Sequence, residues 1–410
     1  MRRWRHLTIL LVAALAGCSG TNAAAPPTSL VIGFLSAGSG ADADALRGAR
    51  FAVDVVNRSY PELALPLAGG TGLPRLGGAT LTVVPAKTEG SPTEAASQVG
   101  ALVGRRGAVA VVAADSADVA AAVGSEAQRL GVPLLDAAST ADFLTELGLD
   151  WYFRTGPTDR MVEETVFGML QGRLDGGAGA RVAIVAEPGA RGAAGAVRLR
   201  ELADRAGYAI VSQVQLGRTA AARRDQARAL ARLRSDVVLA VAGAPDTVLD
   251  VADLTGELSK RAPVIGVGPA FAALRPRDLS GGPGPAVLRT ASWSAEFARR
   301  SPVAKPVTEL YERQFGLPMT PDASNAFTAT LTLAAAIDGA GSGQPAAIRA
   351  SLRKMSTPAT QMIMPWGGIR FDANGQNQLA AAVVEGLDGS GFRITYPPEL
   401  MVGPTIWTGS

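Results

Sequence analysis

The chain has 410 residues, 47% of them hydrophobic, with 39 Lys and Arg, 36 Asp and Glu, one cysteine and one histidine. Arg2, Arg3 and Arg5 account for the positive excess. Beyond them the two signs balance at 36 each, which leaves no global field for holding nucleic acid. The one histidine, His6, lies in the same N-terminal segment, so hydrolases that rely on imidazole are excluded from the rest of the chain.

Those arginines precede a ten-residue apolar run, Leu7 to Ala16, and then Gly17 and Cys18. A basic start, a short apolar stretch and small residues before a cut are the anatomy of a secretion signal. The run is well short of the ~20 residues that span a bilayer. Leu15-Ala16-Gly17-Cys18 also resembles the bacterial lipobox, which implies a signal peptide at 1–17 and a mature chain that starts with a lipidated Cys18. An ordinary signal peptide with an incidental cysteine is the competing reading. Two or three acyl chains hold a protein stably at a membrane where one does not. The mature chain then has no disulfide, and stability rests on burial. Residues 18–29 read as the lipidated tether, small, polar and proline-bearing. About 390 mature residues suffice for two domains or more.

From Leu30 onward, β-branched apolar runs alternate with alanine-rich helical stretches. "LVIGFLS" from Leu30 is a strand and "ALRGARFAVDVVNR" from Ala45 a helix. After a Gly/Pro-rich loop come strand "ATLTVVPA", helix "PTEAASQVGALVGR", strand "AVAVVAA", helix "ADVAAAVGSEAQRLG" and strand "VPLLDAA". Continuous apolar strands linked by helices predict a parallel sheet covered on both faces. "LDWYFRTGPTDRM", Leu149 to Met161, reads as a crossing. Strands then restart at Arg181, Ala209, Asp236 and Ala262, at spacings of 28, 27 and 26 residues, one βα unit each. The looser "LRPRDLSGGPGPA" after Gly268 is a second crossing candidate. Helices follow around Val303 to Phe315, Ala323 to Gly339 and Ala346 to Met355, then an expected hairpin, "GIRFDANGQNQLAAAVVEGL". The fold class is α/β: two doubly wound parallel-sheet lobes, with a cleft at the carboxyl ends of both sets of strands.

"GSGADADALRGA" lacks the full pattern of a nucleotide-binding loop, and a glycine-rich strand-to-helix turn accounts for it. Asp42 and Asp44 lack the spacing of a calcium loop, so no metal or cofactor is expected. Asp115 and Ser116 stand where a strand gives way to a helix. They serve as caps there, and the same hydroxyl and helix N–H groups are suited to hold a carboxylate. Asp136 to Thr140, "DAAST", repeats that geometry one strand later. Asp246 occupies a comparable turn further on, either as a cap or as an acceptor for a ligand ammonium. Trp151, Tyr152 and Phe153 read as hinge packing, and the arginines of "AARRDQARALARLR" as a solvated face. No trio of acid, base and nucleophile stands out, so no catalytic residue is assigned.

Several stretches in order resemble type I periplasmic binding proteins of the Leu/Ile/Val-binding kind, the receptors of ABC importers: "IGFLSAGSG" with "GARFAVDVVN", "GATLTVVPAKTEGSPTEAASQVGALV", "GVPLLDAASTADFLTELGLDWYFRTGP" and "IRFDANGQN". The resemblance implies a clamshell with a three-crossing hinge, with lobe 1 at 30–155 plus 288–365 and lobe 2 at 156–287 plus 366–410. It implies a non-enzymatic, lipid-anchored extracytoplasmic receptor whose partners are a small solute, an ABC permease and the membrane. Ser116 would hold the ligand carboxylate, with Ala138, Ser139 and Thr140 beside it, and Asp246 the α-amino group. Where the family often carries an aromatic, "EPGARGAAG" places Arg191 before Gly192. That arginine, and a missing ring after the first strand, point to a small carboxylate or amide-bearing solute. A sensor of the same fold, signalling to a partner instead of a permease, is the alternative.

Overall fold

The computed structural model describes residues 28–38, 41–174, 179–243, 262–272, 287–388, 391–404 and 407. Strands β1 (Ser29–Ser36), β2 (Thr80–Lys87), β3 (Ala108–Ala114), β4 (Leu134–Asp136) and β5 (Tyr152–Arg154) form one sheet in the order β2-β1-β3-β4-β5. All its pairings are parallel. The second sheet contains β6 (Arg181–Ala186), β7 (Ala209–Gln215), β8 (Val237–Val241), β9 (Val264–Val267) and β10 (Val287–Ala291), joined at one edge by β13 (Val383–Asp388) and β14 (Gly391–Tyr396). Its order is β14-β13-β10-β9-β8-β6-β7, with β13 and β14 antiparallel. β11 (Thr357–Pro358) and β12 (Gly368–Ile369) make a separate two-stranded ladder.

Both faces of each sheet are covered, as continuous apolar strands require. On the first, helix α1 (Ala41–Asn57), a helix at Pro321–Ala340 and their neighbours bury Ile32, Phe34, Phe51 and Phe327 on one side. Helices α2 (Pro92–Arg106) and α3 (Ala117–Leu130) cover Leu35, Val111 and Leu134 on the other. On the second sheet, α4 (Asp159–Arg173) and α5 (Ala190–Ala206) share one core, and α6 (Ala220–Arg232) with the short α7 (Pro269–Ala272) share the other. Each fully buried Val, Leu, Ile or Phe contributes about 1.5–3 kcal/mol relative to exposure. The remaining α-helices among the described residues are α8 (Ala295–Arg300), α9 (Ala304–Phe315), α10 (Pro321–Ala340) and α11 (Pro345–Lys354). Thr158 and Thr320 cap α4 and α10 by accepting from the N–H groups of Met161 and Ala323. Among the described residues no helix is long and apolar enough to cross a membrane.

The structure departs from the sequence reading at the joints. The stretch read as a crossing contains β5, a three-residue strand too short to carry an alternation signal. β10 pairs in the second sheet, so the second crossing follows it at Ser292–Ser294. The expected terminal hairpin is displaced: β12 pairs with β11, Phe371 bridges Asn377, and the long antiparallel pair is β13 with β14. Trp366, Ile369, Phe371 and Ala380 pack into the first core, with the Phe371 ring edge-on to Phe153 at 5.2 Å. The chain therefore stays with the first lobe beyond residue 366, because those apolar side chains find their partners there.

The chain crosses for the third time between Ala380 in the first core and Ala382 in the second, and the segment leading to it is tied to the first crossing by Arg154, which is fully buried. Its Nε donates to Gln376 Oε1 at 2.7 Å, its backbone N–H to Gly375 O at 2.8 Å, and its carbonyl accepts from Asn377 N at 3.0 Å. Asn377 Nδ2 donates to the Thr155 carbonyl at 3.0 Å, and Gln376 Nε2 to that of Gly156 at 2.9 Å.

Helices α1 and α10 meet at Gly48, where a Cβ would collide with the Ala323 carbonyl. Gly48→Ala is expected to cost about 1–3 kcal/mol through forced separation of the helices, measured as a lowered urea midpoint of the purified protein.

Candidate ligand cleft

The carboxyl ends of the parallel strands in both lobes converge on an open cleft whose space, counted out into solvent, is about 690 Å3. Ala138 and Thr140 line it from the turn after β4, Asp159 from the start of α4, Thr290 from β10, and Asp322 and Asn325 from the first turns of α10. A smaller hollow of about 280 Å3 adjoins it, lined by Asp159, Glu163, Arg191 and Arg198 with the ends of β8 and β9. Ligand sites favour this place in open α/β folds.

On the first lobe the turn after β4 is built around Asp136, which is fully buried. Its Oδ1 accepts from the N–H groups of Ala138 and Ser139, both at 2.9 Å, and its Oδ2 from the Tyr152 hydroxyl at 2.7 Å. Burial pushes the Asp136 carboxyl above its ordinary range, opposed by these hydrogen bonds and by Arg154. The Tyr152 hydroxyl is pushed well up, by burial first and then by Asp136. Ser139 is buried, and its hydroxyl donates to the Asp115 carbonyl at 3.1 Å, joining the two turns. Asp115 in turn accepts from Ser116 N and from the Thr88 hydroxyl. Ser116 holds the N-cap position of α3 without a side-chain cap bond and is exposed.

Thr140 makes a close contact with the second lobe. Its hydroxyl donates to Asp159 Oδ1 at 2.5 Å, its carbonyl accepts from Asp159 N at 2.6 Å, and Arg191 Nη2 donates to its Oγ1 at 3.1 Å. Arg191 starts α5 and reaches Thr140 by passing over Gly243, where a Cβ would fall on the guanidinium. Two turns along α5, Arg198 forks onto Glu163 at 2.8–3.1 Å and lies 3.4 Å from Asp159 and 3.5 Å from Asp142. Arg191 is 3.7 Å from Asp159. Two guanidinium groups thus face three carboxylates, and Asp142 belongs to the 3-10 turn (Asp142–Thr145) of the first lobe. Glu163 is almost fully buried; burial raises its carboxyl to about 7 against the pull of Arg198, and Asp159 and Asp142 raise it further.

Of the residues singled out from sequence, Ala138, Thr140 and Arg191 converge on the cleft, Ser139 lies behind Thr140, and Ser116 stands outside the lining residues. Asp246 and Cys18 lie outside the described residues. Sequence reasoning missed Asp136 as the organiser of its turn, together with Asp142, Asp159, Glu163 and Arg198. The signal was available in part: Asp159 with Glu163, four apart, and Arg191 with Arg198, seven apart, each share a helix face. It did not say that the two faces meet.

Two open α/β lobes, joined by crossings and facing each other across a cleft of mixed polar and apolar lining, define a clamshell. A family profile described as periplasmic binding protein matches residues 29–390, and the chain belongs to that family. An ABC transporter substrate-binding protein from Desulfitobacterium hafniense, in complex with Leu, superposes with a TM-score of 0.72 at 20% identity, covering 89% of this chain and 99% of that one. The branched-chain amino acid binding protein LivJ from Streptococcus pneumoniae, in complex with isoleucine, gives 0.68 at 18% identity over 90% and 100%. A solute-binding protein from R. palustris, in complex with benzoate, gives 0.66 at 16% identity over 89% and 95%. No curated protein sequence matches.

The raised Glu163 carboxyl stabilises the fold at low pH: its contribution is complete below about 4.5 and is lost as pH rises through about 7. Comparing urea midpoints of the wild type and Glu163→Gln between pH 4.5 and 8 is expected to show wild-type stability falling relative to the variant. The fall should be on the order of 2–3 kcal/mol.

Proposed function

We propose that this protein is an extracytoplasmic, lipid-anchored solute receptor of an ABC importer, which captures a small amino-acid-like, carboxylate or amide-bearing solute by closing its two lobes. The observation that carries this reading is the cleft itself, whose walls come from strand ends of both lobes, where open α/β sheets take their ligands. Family membership supports the receptor role, and the bound leucine, isoleucine and benzoate of the similar structures support a small carboxylate as the class to test first. In this reading Ala138, Thr140 and Arg191 border the ligand, Ser116 and Ser139 shape the first-lobe turns, and Asp246, outside the described residues, is the acceptor for a ligand ammonium. Cys18 carries the lipid, and residues 19–29 tether the lobes to the membrane. The resemblance of Leu15 to Cys18 to a lipobox supports the anchor.

Thermal melts of the purified protein against amino acids, amides, small carboxylates and sugars test the receptor role. A ligand of the folded state is expected to stabilise by about 2.7 kcal/mol at a hundred times its Kd; flat curves across the whole panel would refute the role. For the anchor, Cys18→Ser expressed in a bacterium is expected to move the protein from the detergent phase to the aqueous phase in phase partitioning.

A further inference from the structure

The turn expected to hold a ligand carboxylate has little left to hold it with. Ala138 N and Ser139 N both donate to Asp136, so a carboxylate of the protein already fills that cradle. The Ser139 hydroxyl proton goes to the Asp115 carbonyl. A threonine hydroxyl has one proton, and that of Thr140 goes to Asp159, because neither a carboxylate nor a guanidinium allows the opposite direction. The start of α3, the other anion-binding element, already has Asp115 and Asp118 beside it to complement its N–H groups. What remains at the junction of the lobes is the Thr140 N–H and the guanidinium of Arg191. Arg191 spends Nη2 on Thr140, and its Nε and Nη1 meet no acceptor among the described residues. Its side chain is 35% exposed, lines the hollow beside the main cavity, and has one carboxylate, Asp159, at a loose 3.7 Å.

Resting on the receptor reading, we infer that Arg191 is the anion-recognising residue of this cleft and that Thr140 and Gly243 act as positioning residues that aim its guanidinium. The ligand is then a carboxylate, held from the second lobe by the planar donor edge of an arginine, in place of the hydroxyls and N–H groups of the first lobe. Thr140 contributes an acceptor that fixes Nη2, and the missing side chain at Gly243 leaves the corridor through which Arg191 reaches it. An amide isostere offers no negative charge and loses the charge-assisted pair.

The test uses the full mature protein and pairs of probes, each of the twenty proteinogenic amino acids and a set of small mono- and dicarboxylates against its own amide. Affinities are measured by calorimetry on the pair whose acid stabilises most. Wild type is expected to prefer the acid by about 30-fold or more. Arg191→Ala is expected to erase that preference by lowering acid affinity while leaving the weaker amide affinity unchanged. Gly243→Ala should do the same, and Thr140→Val should do so in part, with the double variant Thr140→Val/Arg191→Ala no worse than Arg191→Ala alone. A purely structural role would lower acid and amide affinity together, and direct donation by Thr140 would make the two losses add. Either result overturns the assignment, as does an unchanged acid preference in Arg191→Ala. Preferred binding of an amide or sugar overturns the inference and leaves the receptor reading standing, whereas no binding to any member of the panel overturns both.

Discussion

The cleft depends on two charges buried side by side at the end of the first sheet. Asp136 and Arg154 are register partners across β4 and β5, and neither is exposed to solvent. Buried charges are costly unless every polar atom finds a partner, and here the partners are the site's own architecture. Asp136 collects Ala138 N, Ser139 N and the Tyr152 hydroxyl, which fixes the turn leading to Thr140. Arg154 donates to the Ala141 carbonyl at 2.6 Å, to the Thr145 hydroxyl at 3.3 Å and to Gln376 at 2.7 Å, which fixes the continuation of that turn and the third crossing together. The turn that lines the cleft and the approach to the third crossing are therefore one hydrogen-bonded unit. Loss of either charge would strand the other, at a typical cost of ~3–5 kcal/mol.

That dependence explains what could be read from the sequence and what could not. The repeating βα units were legible, since runs such as "AVAVVAA" and "RVAIVAE" with helices between them admit few packings. The joints were not: β5 and β12 are too short to show a period, and the 366–380 segment alternates like a hairpin while its rings pack on the first core. At the site, the turn after β4 and the arginine of α5 were visible as candidates. Their hydrogen-bonding state was not, because the direction of the Thr140 proton is decided by Asp159 and Arg191, which lie 19 and 51 residues away.

The same separation accounts for a fold shared at 16–20% identity with structures that hold leucine, isoleucine or benzoate. Apolar alternation and hinge geometry tolerate wide substitution as long as volume and polar satisfaction persist, while ligand chemistry rests on a few side chains at strand ends. Arg191 in the first turn of α5, with Gly243 opposite to admit it, alters the chemistry of the cleft wall without touching either core.

Charge arithmetic bears on the protonation of the cleft. Asp142, Asp159 and Glu163 stand against Arg191 and Arg198, so the cluster is neutral only while one carboxyl keeps its proton. Glu163, the most deeply buried of the three, is the one that burial selects for that role. The charge balance where the two lobes meet is therefore set by a carboxyl behind the cleft wall, which ties the electrostatics of the junction to the packing of α4 against α5.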